Sequence, residues 1–136
     1  MDNLGIAKTW MAIAGIALLG AGFIGFVPGN PIASEDPSAL FRVNAAHNLV
    51  HIATGLLALA IAFGTTGRTL ADGTIGFGVL YAVVTVLLIV DPSMFGVFQD
   101  APANAADHVL HAGLAAISIA LGLMARQRVP SETARA

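Results

Sequence analysis

The sequence predicts an all-α fold: a bundle of four transmembrane helices running up-down-up-down, arranged as two repeated helical hairpins. Three observations carry this expectation. Hydrophobic residues make up 57% of the 136-residue chain and charged residues 10%, against roughly 45–50% and 25% in soluble domains, and the mean hydropathy is +0.82. Four apolar runs, each near the roughly 20 residues that cross a bilayer core, alternate with short segments rich in Gly, Pro, Asp and Ser. The octet NAAHNLVH at 44–51 returns sixty positions later as NAADHVLH at 104–111.

The first run covers about residues 10–27 and contains no charge, with Lys8 just before it and Trp10 suited to an interfacial anchor. It exceeds the roughly 7–15 residues of a signal-peptide core, and Ile32-Ala33-Ser34 makes a poor cleavage site, so it reads as a span. The second run begins at Asn44 or Ala45 and continues to about Gly64, apolar beyond His47, Asn48 and His51. The third covers about residues 75–90, with Tyr81 suited to interior packing, and Asp91-Pro92 ends it because proline cannot extend the helical ladder. The fourth covers about residues 105–125. The connections read as PGNPIASEDPSALFR, GTTGRTLADGT and DPSMFGVFQDAPAN, the first and last carrying Leu40-Phe41 and residues 94–98 as apolar lids. The whole chain, 1–136, forms a single integral membrane domain, with 1–66 as the first hairpin and 67–136 as the second.

Charge placement orients the bundle. Lys8, Arg68, Arg126, Arg128 and Arg135 fall at the termini and second connection, whereas the first and third hold only Arg42 among Glu35, Asp36, Asp91 and Asp100. The positive-inside rule then places both termini in the cytoplasm, with the protein multi-pass in the plasma membrane. A net charge of −2 supplies no basic patch for nucleic acid. Cysteine is absent, which excludes disulfides, thiolate metal sites and a cysteine nucleophile. The serines lack a nucleophile elbow and the glycines form no phosphate loop.

All four histidines lie in the two octets. Positions 44, 47, 48, 51 and 55 are related by helical steps of three and four, as are 104, 107, 108, 111 and 115, so each helix presents one polar stripe. Lipid cannot satisfy these groups, and the stripes should face the bundle interior or a small aqueous mouth. Two copies separated by an even number of spans enter the membrane in the same direction, so duplication of a hairpin sets both motifs at one depth. Asn44 and Asn104 read as N-caps, with His47 and Asp107 at the N3 position. Ala53, Gly55, Gly113 and Ala115 suit close helix approach. His51 and His111, seven residues past each cap, would make interhelical hydrogen bonds or meet at a shared centre. A haem held from both sides and a divalent metal aided by His47, His108 or Asp107 are the two cofactor readings.

The segment FRVNAAHNLVHIATGLLAL, with its partner motif, resembles the signature of a bacterial four-helix membrane family, domain-of-unknown-function family 4383. That family carries Asn-x-x-His-Asn-x-x-His on its second helix and Asn-x-x-Asp-Asn-x-x-His on its fourth. Asn44, His47, Asn48 and His51 match the first, and Asn104, Asp107 and His111 the second; His108 stands where the pattern has asparagine. The resemblance spans nearly the whole chain and implies the fold without an activity. The leading expectation is a non-enzymatic accessory or envelope stress protein with a polar network at the outer ends of the second and fourth helices. The alternative is a haem- or metal-binding membrane protein centred on His51 and His111. An enzyme acting on lipid or quinone would need a cleft exposing His47, Asp107 and His108 together. The lipid bilayer is the expected partner, with a second copy or another membrane protein left open.

Overall fold

A computed structural model describes residues 2–128, so Ser131 and Arg135 lie outside the described residues. Four helices dominate: α1 (Asn3–Ile24), α2 (Ala45–Gly64), α3 (Gly67–Val90) and α4 (Ala105–Arg126). All four are long and apolar enough to cross a membrane. Two short strands, β1 (Ala33–Ser34) and β2 (Phe41–Arg42), pair in parallel between α1 and α2.

Two helices depart from their expected bounds. α1 begins seven residues before Trp10 because Asp2 caps it, its Oδ1 accepting the Gly5 amide at 2.7 Å. It stops at Ile24, and Phe26 and Val27 continue only as turns bonded to the Phe23 and Ile24 carbonyls. α3 begins at Gly67, well before residue 75, which leaves Thr65 and Thr66 as the whole connection from α2. The polar residues there are satisfied within α3 and by α4. Asp72 pairs with Arg68 one turn earlier at 3.6 Å and with Arg126 of α4 at 3.0 Å, and the Thr74 hydroxyl donates to the Leu70 carbonyl at 2.8 Å.

Glycine sets the tight pairing within each half. A Cβ on Gly55 would lie 2.9 Å from the Gly15 carbonyl oxygen, and one on Gly22 would lie 2.8 Å from that of Asn48. Contacts that advance along α1 while retreating along α2 mark antiparallel neighbours. The same reversal joins α3 to α4, where a Cβ on Gly78 would lie 2.9 Å from the Ala115 oxygen and one on Gly122 would lie 3.0 Å from the Ala71 oxygen. The expected close approach thus holds at Gly55 and Ala115. It fails at Gly113, which faces open space, and at Ala53, which is exposed.

Between the two halves lies the core, including Met11, Leu18, Ala58, Phe77, Tyr81 and Leu114. Trp10 joins it rather than anchoring at an interface, because its indole N–H donates to the buried Ser118 hydroxyl of α4 at 2.8 Å. Tyr81 packs inside as expected, 2% exposed, with its hydroxyl 2.7 Å from that of Thr54 on α2. The outward faces are apolar, with Ile16, Phe63 and Val90 among the most exposed side chains. Such a surface suits lipid and would be an outsized patch in water.

Candidate functional site

Local chemistry fixes the start of each motif helix. The Asn44 side chain accepts the His47 amide at 2.9 Å, and that of Asn104 accepts the Asp107 amide at 3.1 Å, so both asparagines are N-caps. Asp107 completes a capping box by accepting the Asn104 amide at 2.8 Å. Its Oδ2 also accepts the Arg42 amide of β2 at 3.2 Å. His47 does not act this way; its buried ring packs against those of His51, His111 and Phe98.

Each cap also ties down the loop of the other half. Asn44 Nδ2 donates to the Val97 carbonyl at 3.0 Å, and Asn104 Nδ2 to the Leu40 carbonyl at 3.0 Å. Both loops turn on the same Asp-Pro-Ser element. Asp36 accepts the Ser38 amide and hydroxyl at 2.8 and 2.7 Å, and Asp91 accepts those of Ser93 at 2.9 and 2.6 Å. These bonds hold both carboxyls below the usual carboxylate range, the serine hydroxyl being the main cause.

From His47 at the cap to His51 and His111 one turn further in, three histidines converge. His47, His51 and His111 are each no more than 2% exposed, and each offers a ring nitrogen within 4.8 Å of the others. His51 Nε2 and His111 Nε2 are 3.4 Å apart. The Nδ1 atoms of both rings are buried without a hydrogen-bond partner among the described residues. Phe98 of the third loop closes one side, stacked on His47 with centroids 4.4 Å apart and planes 10° from parallel. Tyr81 closes another, 5.5 Å from the His111 ring. Residues 94–98 were expected to lie on the bundle, but the motif gave no sign that Phe98 would reach the histidines.

The remaining motif residues stand apart. Asn48 is buried, but its amide rests against Gly25 at the end of α1, where any Cβ would overlap it. His108 is only half-buried and lies outside the triad. Asp107 is fully buried and engaged at the cap. The cavity at this end is bordered by His47, His51 and His111, and neither Asp107 nor His108 is in its lining.

A family model described as a domain of unknown function, DUF4383, matches residues 8–124. The chain belongs to this family. No curated protein and no solved structure matches it.

The donor set of this DUF4383 protein limits what the triad could hold. Nitrogens on opposite sides of a metal with bonds of about 2.0–2.1 Å lie about 4.1 Å apart, whereas tetrahedral neighbours lie about 3.4 Å apart. The His51–His111 separation of 3.4 Å has the tetrahedral value. It does not fit a haem, whose plane would have to pass between the two rings. The cavity of about 230 Å³ is likewise smaller than the roughly 300–1,000 Å³ of pockets for drug-sized ligands. Three imidazoles suit zinc, copper or nickel.

Proposed function

We propose that this membrane protein binds a first-row transition-metal ion, zinc in the simplest case, through His47, His51 and His111. One observation carries the reading: three buried imidazole rings converge, each offering a ring nitrogen within 4.8 Å of the others. The 3.4 Å His51–His111 contact is also long beside the roughly 2.9–3.0 Å of ordinary N–H donor bonds. A metal at the centre would engage one nitrogen from each ring and leave a fourth position free.

The same reading takes the two octets as products of a duplicated hairpin, with both termini in the cytoplasm and the triad near the outer face of the plasma membrane. The sixty-residue offset and the matching caps, loops and Asp-Pro-Ser turns support duplication. The cluster of Lys8, Arg68 and Arg126 at the opposite end supports the orientation.

The test is elemental analysis of the full chain purified in mild detergent without chelator, followed by titration with Zn²⁺ and with Co²⁺ as a spectroscopic substitute. Stoichiometric binding with the intense visible bands of tetrahedral Co²⁺ is the expected result. A metal-free protein that takes up neither ion would overturn the reading, as would a Soret band.

A further inference from the structure

A second cavity opens at the motif end of the bundle, within the first half, between the end of α1, the β1 segment and the start of α2. Its volume of about 630 Å³ lies within the roughly 300–1,000 Å³ of small-molecule sites. Unlike the cavity beside the triad, this one carries charge: Glu35 and Asp36 line it, and no basic side chain does. The Ser38 amide and hydroxyl both donate to Oδ1 of Asp36, so its Oδ2 has no hydrogen-bond partner among the described residues. Asn48 lines the same cavity and is 1% exposed, and its Oδ1 is buried without a hydrogen-bond partner among the described residues. It is the polar member of the first octet that neither caps α2 nor joins the triad. Three oxygen acceptors, two of them on carboxylates, therefore border one space. Phe26 and Val27 form its apolar edge, 48% and 52% exposed. They follow the end of α1 at Ile24, and Ala45, also in the lining, begins α2. The cavity thus lies where two spans leave the hydrocarbon core and meet the head-group layer. α2 has no acidic residue in its first turn, whereas α4 has Asp107, so the positive end of the α2 dipole stands unneutralised beside the cavity.

We infer that this cavity binds the head group of a phospholipid bearing a primary ammonium, phosphatidylethanolamine in the simplest case. The ammonium donates to Glu35, Asp36 and the Asn48 Oδ1, in charge-assisted bonds at the two carboxylates. The phosphate lies toward the start of α2, where the helix dipole favours an anion, and the acyl chains run past Phe26 and Val27 into the bilayer. A quaternary ammonium has no N–H to give these acceptors, and a purely anionic head group would meet two carboxylates with no cation between them. The site is separate from the histidine triad and needs no metal.

The test measures equilibrium binding of dihexanoyl phosphatidylethanolamine to the full-length protein in maltoside detergent by calorimetry. Saturable binding to one site per chain is expected, with dihexanoyl phosphatidylcholine weaker by roughly tenfold, the size of one lost charge-assisted hydrogen bond. E35Q, at an exposed position of the lining, should weaken binding of the ethanolamine lipid by a similar factor. A45W, which fills the cavity beside the start of α2, should abolish it, and A105W, at the matching exposed position of α4, should leave it intact. No saturable binding of the ethanolamine lipid overturns the inference, as does equal affinity for the choline lipid. Binding unchanged in both E35Q and A45W overturns the assignment to this cavity. Free ethanolamine binding as tightly as the lipid overturns the lipid as occupant and makes the cavity a site for a small amine.

Discussion

His51 Nε2 and His111 Nε2 lie 3.4 Å apart, although sixty residues separate them in the chain and they project from different helical hairpins. His47 stands one turn before His51 on the same helix, its ring centroid 4.5 Å from that of His51 and 5.7 Å from that of His111. Two residues on one helix and one across the bundle make a set that forms only when the hairpins dock. Ligand binding here would therefore stabilise the docked bundle by mass action.

Metal content should follow the triad and ignore the rest of the motif. H51Q and H111Q should each reduce bound zinc from one ion per chain to a small fraction of that. H108N should leave it unchanged, since His108 lies outside the cluster. Elemental analysis of detergent-purified variants checks this, and loss of metal in H108N would show that the ligand set has been misassigned.

Asp107 should matter for stability. Its Oδ2 accepts both the Asn104 and Arg42 amides, so it fastens the start of α4 and the β2 segment together. D107A leaves two backbone donors without that partner, at a cost of about 1–3 kcal/mol. Thermal unfolding in detergent should show a lowered midpoint for D107A, with a smaller loss for D107N, whose amide oxygen can still accept. An unchanged midpoint in D107A would remove the capping box from the account of this helix start.

The third loop should show acid sensitivity traceable to one turn. The Ser93 hydroxyl, then its amide, holds the Asp91 carboxyl below the usual range, with the Phe95 amide adding a further bond. A depressed carboxyl pKa contributes stability that is fully present above the unfolded value of about 3.9. That contribution is lost as pH falls through the lower folded value. S93A removes the leading cause, so the Asp91 midpoint should rise toward the unfolded value in a carbon-13 NMR titration. An unshifted midpoint would point to the backbone amides as the dominant cause.

Much of this was legible in the sequence because it rests on short-range rules. Apolar run length gave four helices, and the Asn-x-x-Asp spacing gave the α4 capping box. The start of α3 was not legible, because Arg68, Asp72 and Thr74 read as loop polarity until Arg126 and the Leu70 carbonyl are seen to satisfy them. Trp10 misled for a similar reason: its partner Ser118 is 108 residues away. The octets put His51 and His111 at the centre of the candidate site but left His47, His108 and Asp107 as alternative further ligands. That His47 joins the triad while His108 does not depends on which side of each helix faces the other hairpin.

The glycines allow the packing within each hairpin to be tested apart from any ligand. Gly55 lies against backbone on its α1 side, where a Cβ would stand 2.9 Å from both the Gly15 oxygen and the Leu19 nitrogen. Backbone cannot rotate away as a side chain can, so G55A should force α1 and α2 apart. Overpacking of this kind costs about 1–3 kcal/mol. Gly113, also within a helix, meets nothing within 4 Å, and G113A should be neutral or stabilising by up to about 1 kcal/mol through helix propensity. Unfolding titrations of the two variants in the same detergent should thus move in opposite directions or differ by the full G55A penalty. Because Gly55 sits one turn beyond His51, separation of α1 from α2 should also loosen the triad. Weakened zinc affinity in G55A alone would tie the metal site to the hairpin seam, whereas equal loss of stability in both variants would contradict the assigned helix faces.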